Sequence, residues 1–227
     1  MDDPEDGNFG SAGYVRRLRR YEGAATVVAQ VGEMVFFSPF GPLIARSRLP
    51  AGLVASLNAR LDAQIAAREG EARRLGELTL PQEDVEAGGE TSLAREVARG
   101  IADYLGNADD RQLQLMRYES FCLVRHFPGT FSPVHFHTGD VSGVMYLKVP
   151  AHIADEAAQA QQSYINARRA GYITFFIGGK QALSKSLISF RPEVGDLYLF
   201  PSWLLHAVEP FEGEGERRSL SFNAFVD

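Results

Sequence analysis

Hydrophobic and polar positions along this chain change their period most clearly near residue 110. Between residues 50 and 105 apolar residues recur at helical spacing. Leu53, Leu57, Leu61 and Ile65 stand four apart behind Pro50, which opens the helix, and Gly70 lies past its end. A second helix spans Ser92 to Leu105, with Ser92-x-x-Arg95-Glu96 at its start and Gly106 beyond it. Two short strands, Met34 to Ser38 and Leu43 to Ser47, precede the helices, and the charged, glycine-rich residues 70 to 90 read as a connection. From Arg111 onward short β-type runs dominate: Leu113 to Tyr118, Phe121 to Phe127, Gly143 to Val149, Tyr172 to Ile177, Leu187 to Phe190, Leu197 to Phe200, Leu205 to Val208 and Ser219 to Val226. Gly, Pro and Ser turns separate them, as in a sandwich, jelly roll or barrel. Asp155 to Ala170, rich in alanine and glutamine, interrupts that pattern and reads as a helix near the mouth of a pocket.

The pattern gives an α+β chain in which a helical N-terminal layer packs on the sheet of a C-terminal jelly roll. We expect a disordered acidic tail over residues 1–13 and one domain over 14–227. That domain divides into strands and helices over 14–110 and a β core over 111–227. A 45% hydrophobic share suffices to fill one core of this size, and a net charge of −6 gives no support for binding nucleic acid or an anionic membrane. The basic cluster at residues 16–20 reads as a solvated face, and no apolar run is long enough to span a bilayer. Cys122 is the one cysteine, so no intrachain disulfide forms; with an acidic start unlike a signal peptide, the expected location is the cytoplasm. A homodimer is left open.

His135 and His137 carry the chemistry. On a β-strand, residues i and i+2 share a face, so both imidazoles can reach one ion. His206, far downstream, would join them from another strand. Imidazole suits iron, zinc, copper and nickel, and so few protein ligands leave coordination positions open for reaction. After His206, an alternating strand places Arg217, Ser219, Ser221 and Asn223 on one face, and Arg218, Leu220, Phe222 and Ala224 on the other. An arginine fork beside a serine hydroxyl suits a carboxylate. Trp203 is expected to pack the turn before His206.

Four stretches, in order over about residues 110–227, resemble the 2-oxoglutarate- and Fe(II)-dependent dioxygenases, closest to prolyl-hydroxylase-like members of bacteria and phages. They are His126 to His137 with its aromatic-x-x-Gly lead, Ser142 to Pro150, Gly195 to His206 with Phe200-Pro201-Ser202-Trp203, and Arg217 to Asn223. The resemblance implies a double-stranded β-helix with iron at its mouth. It implies oxidation of 2-oxoglutarate to succinate and CO2, coupled through O2 to hydroxylation or oxidative demethylation of a prime substrate, small molecule or protein side chain. It also implies that His135, His137 and His206 hold Fe(II), and that Arg217, Ser219 and Tyr146 hold the far carboxylate of 2-oxoglutarate. His126 stands where relatives carry a cosubstrate-binding Tyr. Lys148, on the strand face of Tyr146, is the alternative cation. The family's usual set is two His and one carboxylate; here His137 fills the carboxylate position, and Asp140 is the alternative third ligand. Two rival readings remain at this stage: a three-His cupin-type dioxygenase without 2-oxoglutarate, and a jelly-roll module that only binds.

Overall fold

The computed structural model describes residues 27–31, 34–37, 41–68, 78–154, 170–179 and 186–227. The chain begins with strands β1 (Val27–Val31), β2 (Met34–Phe37) and β3 (Ile44–Arg48), followed by helix α1 (Ala51–Ala67). After β4 (Leu78–Thr79) come α2 (Gln82–Glu86), a 3-10 turn at Gly89–Thr91 and α3 (Leu93–Ala108). The rest is mainly strands: β5 (Met116–Tyr118), β6 (Cys122–His126), β7 (Ser132–His135) and β8 (Val141–Lys148). A single helical turn, α4 (Ala151–Ala154), then leads to β9 (Ile173–Phe176), β10 (Leu187–Phe190), β11 (Asp196–Pro201), β12 (Leu205–Val208) and β13 (Arg217–Val226).

These strands form two sheets. The larger runs β1-β2-β3-β11-β8-β13-β6-β4 with β5 added on β13, and the smaller runs β10-β9-β12-β7. Alternation along the central strands fills two separate cores, because successive side chains leave opposite faces. Met145, Leu147, Leu197, Leu199, Leu220 and Phe222 face the helices, against Leu57 and Leu61 of α1 and Val97 and Ile101 of α3. Tyr146, Tyr198 and Phe200 face the other way and meet Ile173, Phe175 and Phe190 of the smaller sheet. The layers are therefore helix, large sheet, small sheet, with the helices on the face away from the small sheet.

Several boundaries moved for local reasons. Helix α3 starts where expected, with Ser92 Oγ accepting from Arg95 N at 3.4 Å, but passes Gly106 and ends when Asp109 N returns to Leu105 O at 3.0 Å. The stretch read as a connection contains β4 and α2, because Leu78, Leu80 and Val85 are buried against the helix-side core. Gly143 is required in β8: a Cβ there would lie 2.2 Å from the Phe222 ring. The expected tail over 1–13, the basic cluster at 16–20 and the helix over 155–170, apart from Ala170, lie outside the described residues. No helix among the described residues is long and apolar enough to cross a membrane.

Candidate metal centre

Strands β7 and β12 pair antiparallel in the small sheet with His135 opposite His206. The strand containing His135 ends there. His137 lies just beyond it, so it reaches the site from a loop and not by strand alternation. That loop is held in three places. His137 N donates to Ser202 O at 2.9 Å, Ser202 N donates to Asp140 O at 3.0 Å, and Asp140 N donates to Ala224 O at 2.9 Å. Gly139, at φ +94°, allows the close approach: a Cβ there would sit 3.0 Å from Ala224 O. Behind the loop the buried Ser142 and Ser202 hydroxyls meet at 2.9 Å, and Ser142 Oγ also lies 2.8 Å from Asn223 Oδ1.

The three histidines converge. One ring nitrogen from each of His135, His137 and His206 lies within 4.8 Å of the others. Ring centroids are 4.3 Å apart for His135 and His206, 4.9 Å for His135 and His137, and 5.0 Å for His137 and His206. Nδ1 of His135 donates to Pro133 O at 2.6 Å and Nδ1 of His206 to Leu204 O at 2.9 Å. These bonds place the proton on Nδ1 and leave the Nε2 lone pair for an ion, with the ring orientation fixed by the backbone. Burial pushes His206 down to about 3, and burial followed by the neighbouring His135 lowers His137, so both rings are neutral. Neutral imidazoles are ready ligands. Asp140 stands apart: its Oδ2 accepts from Val226 N at 3.0 Å, and the metal-compatible cluster contains histidine alone.

Across the space between the sheets lies Arg217, fully buried. Its Nη1 donates to Gly171 O and its Nη2 to Nδ1 of His126, each at 2.7 Å, and its guanidinium carbon sits 5.7 Å from the Tyr146 ring centroid. Nε2 of His126 meets Ser132 Oγ at 3.1 Å, at the start of the strand that carries His135. Because Nδ1 accepts from Arg217, His126 is neutral; burial first and the arginine second push it down to about 3. Among the described residues no carboxylate pairs with Arg217. Burial lowers its guanidinium from the ordinary value, as for a cation without a counter-charge. Two buried donors here lack a partner, Arg217 Nε and Tyr146 Oη. Burial raises the Tyr146 phenol to about 12, so it keeps its proton. A buried cation with idle donors calls for an anion.

Ser219, buried, pairs with Tyr146 and shares the inner face with Arg217. Arg218 points to the helices, bound to Glu216, Asn58 and Asp62. Lys148 departs from expectation. It does not share the face of Tyr146 but bonds Asp62 of α1 at 3.1 Å. The register explains this: Arg218 faces Lys148 but Ser219 faces Tyr146, so a bulge at Leu147 turns Lys148 to the helix side. Trp203 does not pack its turn; it is 58% exposed, and Leu204 fills the core instead. Sequence reasoning did not find Gly171, whose carbonyl takes Arg217, or Ser132, whose hydroxyl takes His126. No local motif marks either residue.

Residues 121–223 match the family model described as "Putative 2OG-Fe(II) oxygenase". No curated protein matches the chain by sequence. Among solved structures, a Pseudomonas putida prolyl-4-hydroxylase is similar at 20% identity and a TM-score of 0.52, over 79% of this chain and 90% of that one. HygX of Streptomyces hygroscopicus, with nickel and 2-oxoglutarate bound, is similar at 15% identity and a TM-score of 0.50, over 82% and 83%. A Trichoplax adhaerens prolyl hydroxylase in complex with a hypoxia-inducible-factor peptide fragment is similar at 13% identity, a TM-score of 0.50 and the same coverage. At these identities the structures speak for the fold alone. The match over the β core makes that part of the chain similar to the 2-oxoglutarate- and Fe(II)-dependent oxygenases, as its motifs already suggested, and the structures share its fold.

Proposed function

We propose that this chain is a 2-oxoglutarate-dependent Fe(II) oxygenase of the hydroxylase type, built on a double-stranded β-helix. The observation that carries this is the pairing of a three-histidine cluster with a buried arginine that has no acidic partner among the described residues. His135, His137 and His206 would hold Fe(II) through their free ring nitrogens. Arg217 Nε, Tyr146 Oη and Ser219 Oγ would receive the far carboxylate of 2-oxoglutarate. Iron, when bound there, would supply the chemistry by which O2 gives one oxygen atom to succinate, formed from 2-oxoglutarate with loss of CO2, and the other to a C–H bond of the prime substrate. The chain's own residues hold this arrangement. His126 keeps Arg217 in place as a neutral acceptor, and Ser132 fixes its tautomer. Phe175 and Phe200 pack against His206 with ring centroids 6.0 and 4.8 Å away, which keeps water from that side of the ion.

An arginine aimed at a distal carboxylate fits a keto diacid better than a thiol substrate, which argues against the cupin-type reading. Succinate release from 2-oxoglutarate, measured with Fe(II) and ascorbate, tests the proposal. Iron-dependent turnover, slow and uncoupled without a prime substrate, supports it. Binding of Fe(II) without any interaction with 2-oxoglutarate would leave the cupin-type enzyme or the binding module.

A further inference from the structure

The small sheet has a second face. Its inner face carries Phe175 and His206 towards the large sheet, so strand alternation turns their neighbours the other way. Leu187 of β10, Phe176 of β9 and Leu205 of β12 are paired in register and form one apolar row across that outer face. Val134 of β7 leaves the same face beside His135. The bond from His137 N to Ser202 O brings Phe136 and Trp203 to the end of the row. Eight large hydrophobic side chains are exposed among the described residues. Five of them gather here, Val134, Phe136, Leu187, Trp203 and Leu205, between 38% and 65% exposed.

At ordinary side-chain sizes these fractions leave about 500 Å² of apolar surface, and patches of that size mark interaction sites. A stable protein pair buries about 800 Å² per partner, about 65% of it apolar between identical chains, which is about 520 Å². The patch has the area that one half of a dimer needs. Charge selects among partners. A different protein is ordinarily steered by complementary charge, and the apolar row offers none. A second copy carries the same net charge of −6 and meets least repulsion through a contact without charge at its centre. Edge-to-edge association is disfavoured. β7 is the edge of the small sheet, but Pro133 there has no N–H to extend the ladder, so the copies meet face to face.

We infer that a second copy of this chain packs on the outer face of the small sheet, across a two-fold axis, with Leu205 near the centre of the contact. The contact lies directly behind the histidines: Leu205 precedes His206, and Val134 precedes His135, each on the opposite face of its strand. Among the described residues β7 is four residues long and pairs with β12 alone. The partner therefore braces the strand that presents His135.

Sedimentation velocity of the full chain over about 1–100 µM tests this, since interfaces of this size hold at micromolar concentration or below. The mass should double from 25.0 kDa as concentration rises. Leu187→Glu and Trp203→Glu, each at an exposed side chain outside both cores, set like charges against each other across the two-fold axis. Each should raise the dissociation constant at least about tenfold, with circular dichroism confirming the fold. Amide exchange at Val134 and His135 should slow as wild type dimerises and stay fast in both variants. A wild type that stays monomeric at the highest concentration would overturn the inference, whether its patch exchanges freely or is covered by part of its own chain. So would a dimer that both variants leave intact, which would place the interface on another face. Exchange at the two amides that ignores dimerisation would overturn the bracing of β7.

Discussion

Arg217 is buried as a structural residue would be but, among the described residues, lacks a partner of opposite charge, and the two roles can be separated. Consider Arg217→Met, which keeps most of the volume and removes the charge. Gly171 O and His126 Nδ1 each lose a donor, at a cost of about 1–3 kcal/mol. Against this, an unpaired buried cation is removed, a relief of similar size. The apo variant should therefore stay within about 2 kcal/mol of wild type, or gain stability. Cosubstrate binding should behave differently. A charge-assisted contact contributes about 1.5–3 kcal/mol, so 2-oxoglutarate affinity should fall about ten- to a hundredfold. At a ligand concentration about a hundred times the wild-type Kd, ligand-induced stabilisation of about 2.7 kcal/mol drops to about 0.4–1.4 kcal/mol. For a chain of this length each kcal/mol shifts Tm by about 2–4 °C, so the difference is readable by differential scanning fluorimetry. N-oxalylglycine with Mn(II) serves as a non-reacting ligand pair. Arg218→Ala is the control: it breaks contacts with Glu216 and Asp62 on the helix side and should lower apo stability without changing the ligand-induced shift. Two results would refute this account: an unchanged ligand shift in Arg217→Met, or equal losses of ligand shift in the Arg217 and Arg218 variants.

His135→Ala and His206→Ala should each abolish stoichiometric iron by elemental analysis while keeping the circular dichroism of the fold. Asp140→Ala, whose carboxylate is occupied by Val226 N, should retain iron where His137→Ala does not. His126, at about 3 in the folded chain against an ordinary value near 6.5, contributes stability that is complete above pH 6.5 and lost as pH falls towards 3. Urea unfolding at pH 7.5 and 5.5 should show wild type losing about 1.4 kcal/mol more than His126→Asn, which keeps an acceptor for Arg217 but does not titrate; equal losses would remove His126 from the account. Gly143→Ala should destabilise by about 1–3 kcal/mol, read as a lower urea midpoint, because its methyl group meets the Phe222 ring.

The sequence by itself determined the longer elements, such as α1, α3, β8, β11 and β13, because burial of one or two faces imposes a period that side chains must obey; the short β1, β4, α2 and β7 were not legible in it. β8 and β11 are nearly all apolar because both faces are covered, by helices on one side and by the small sheet on the other. It also determined that Arg217 and Arg218 face opposite ways, since alternation is a local property of an extended chain. Three things only tertiary structure decided. Lys148 faces the helices because a bulge at Leu147 shifts register between β8 and β13, and register is a relation between two strands. His137 meets the other histidines although its strand has ended, because its loop is tied to Ser202 and Ala224, residues distant in sequence. Arg217 lacks a counter-charge because, among the described residues, no carboxylate packs against it. That depends on what the fold brings near, which the pattern along one strand does not contain.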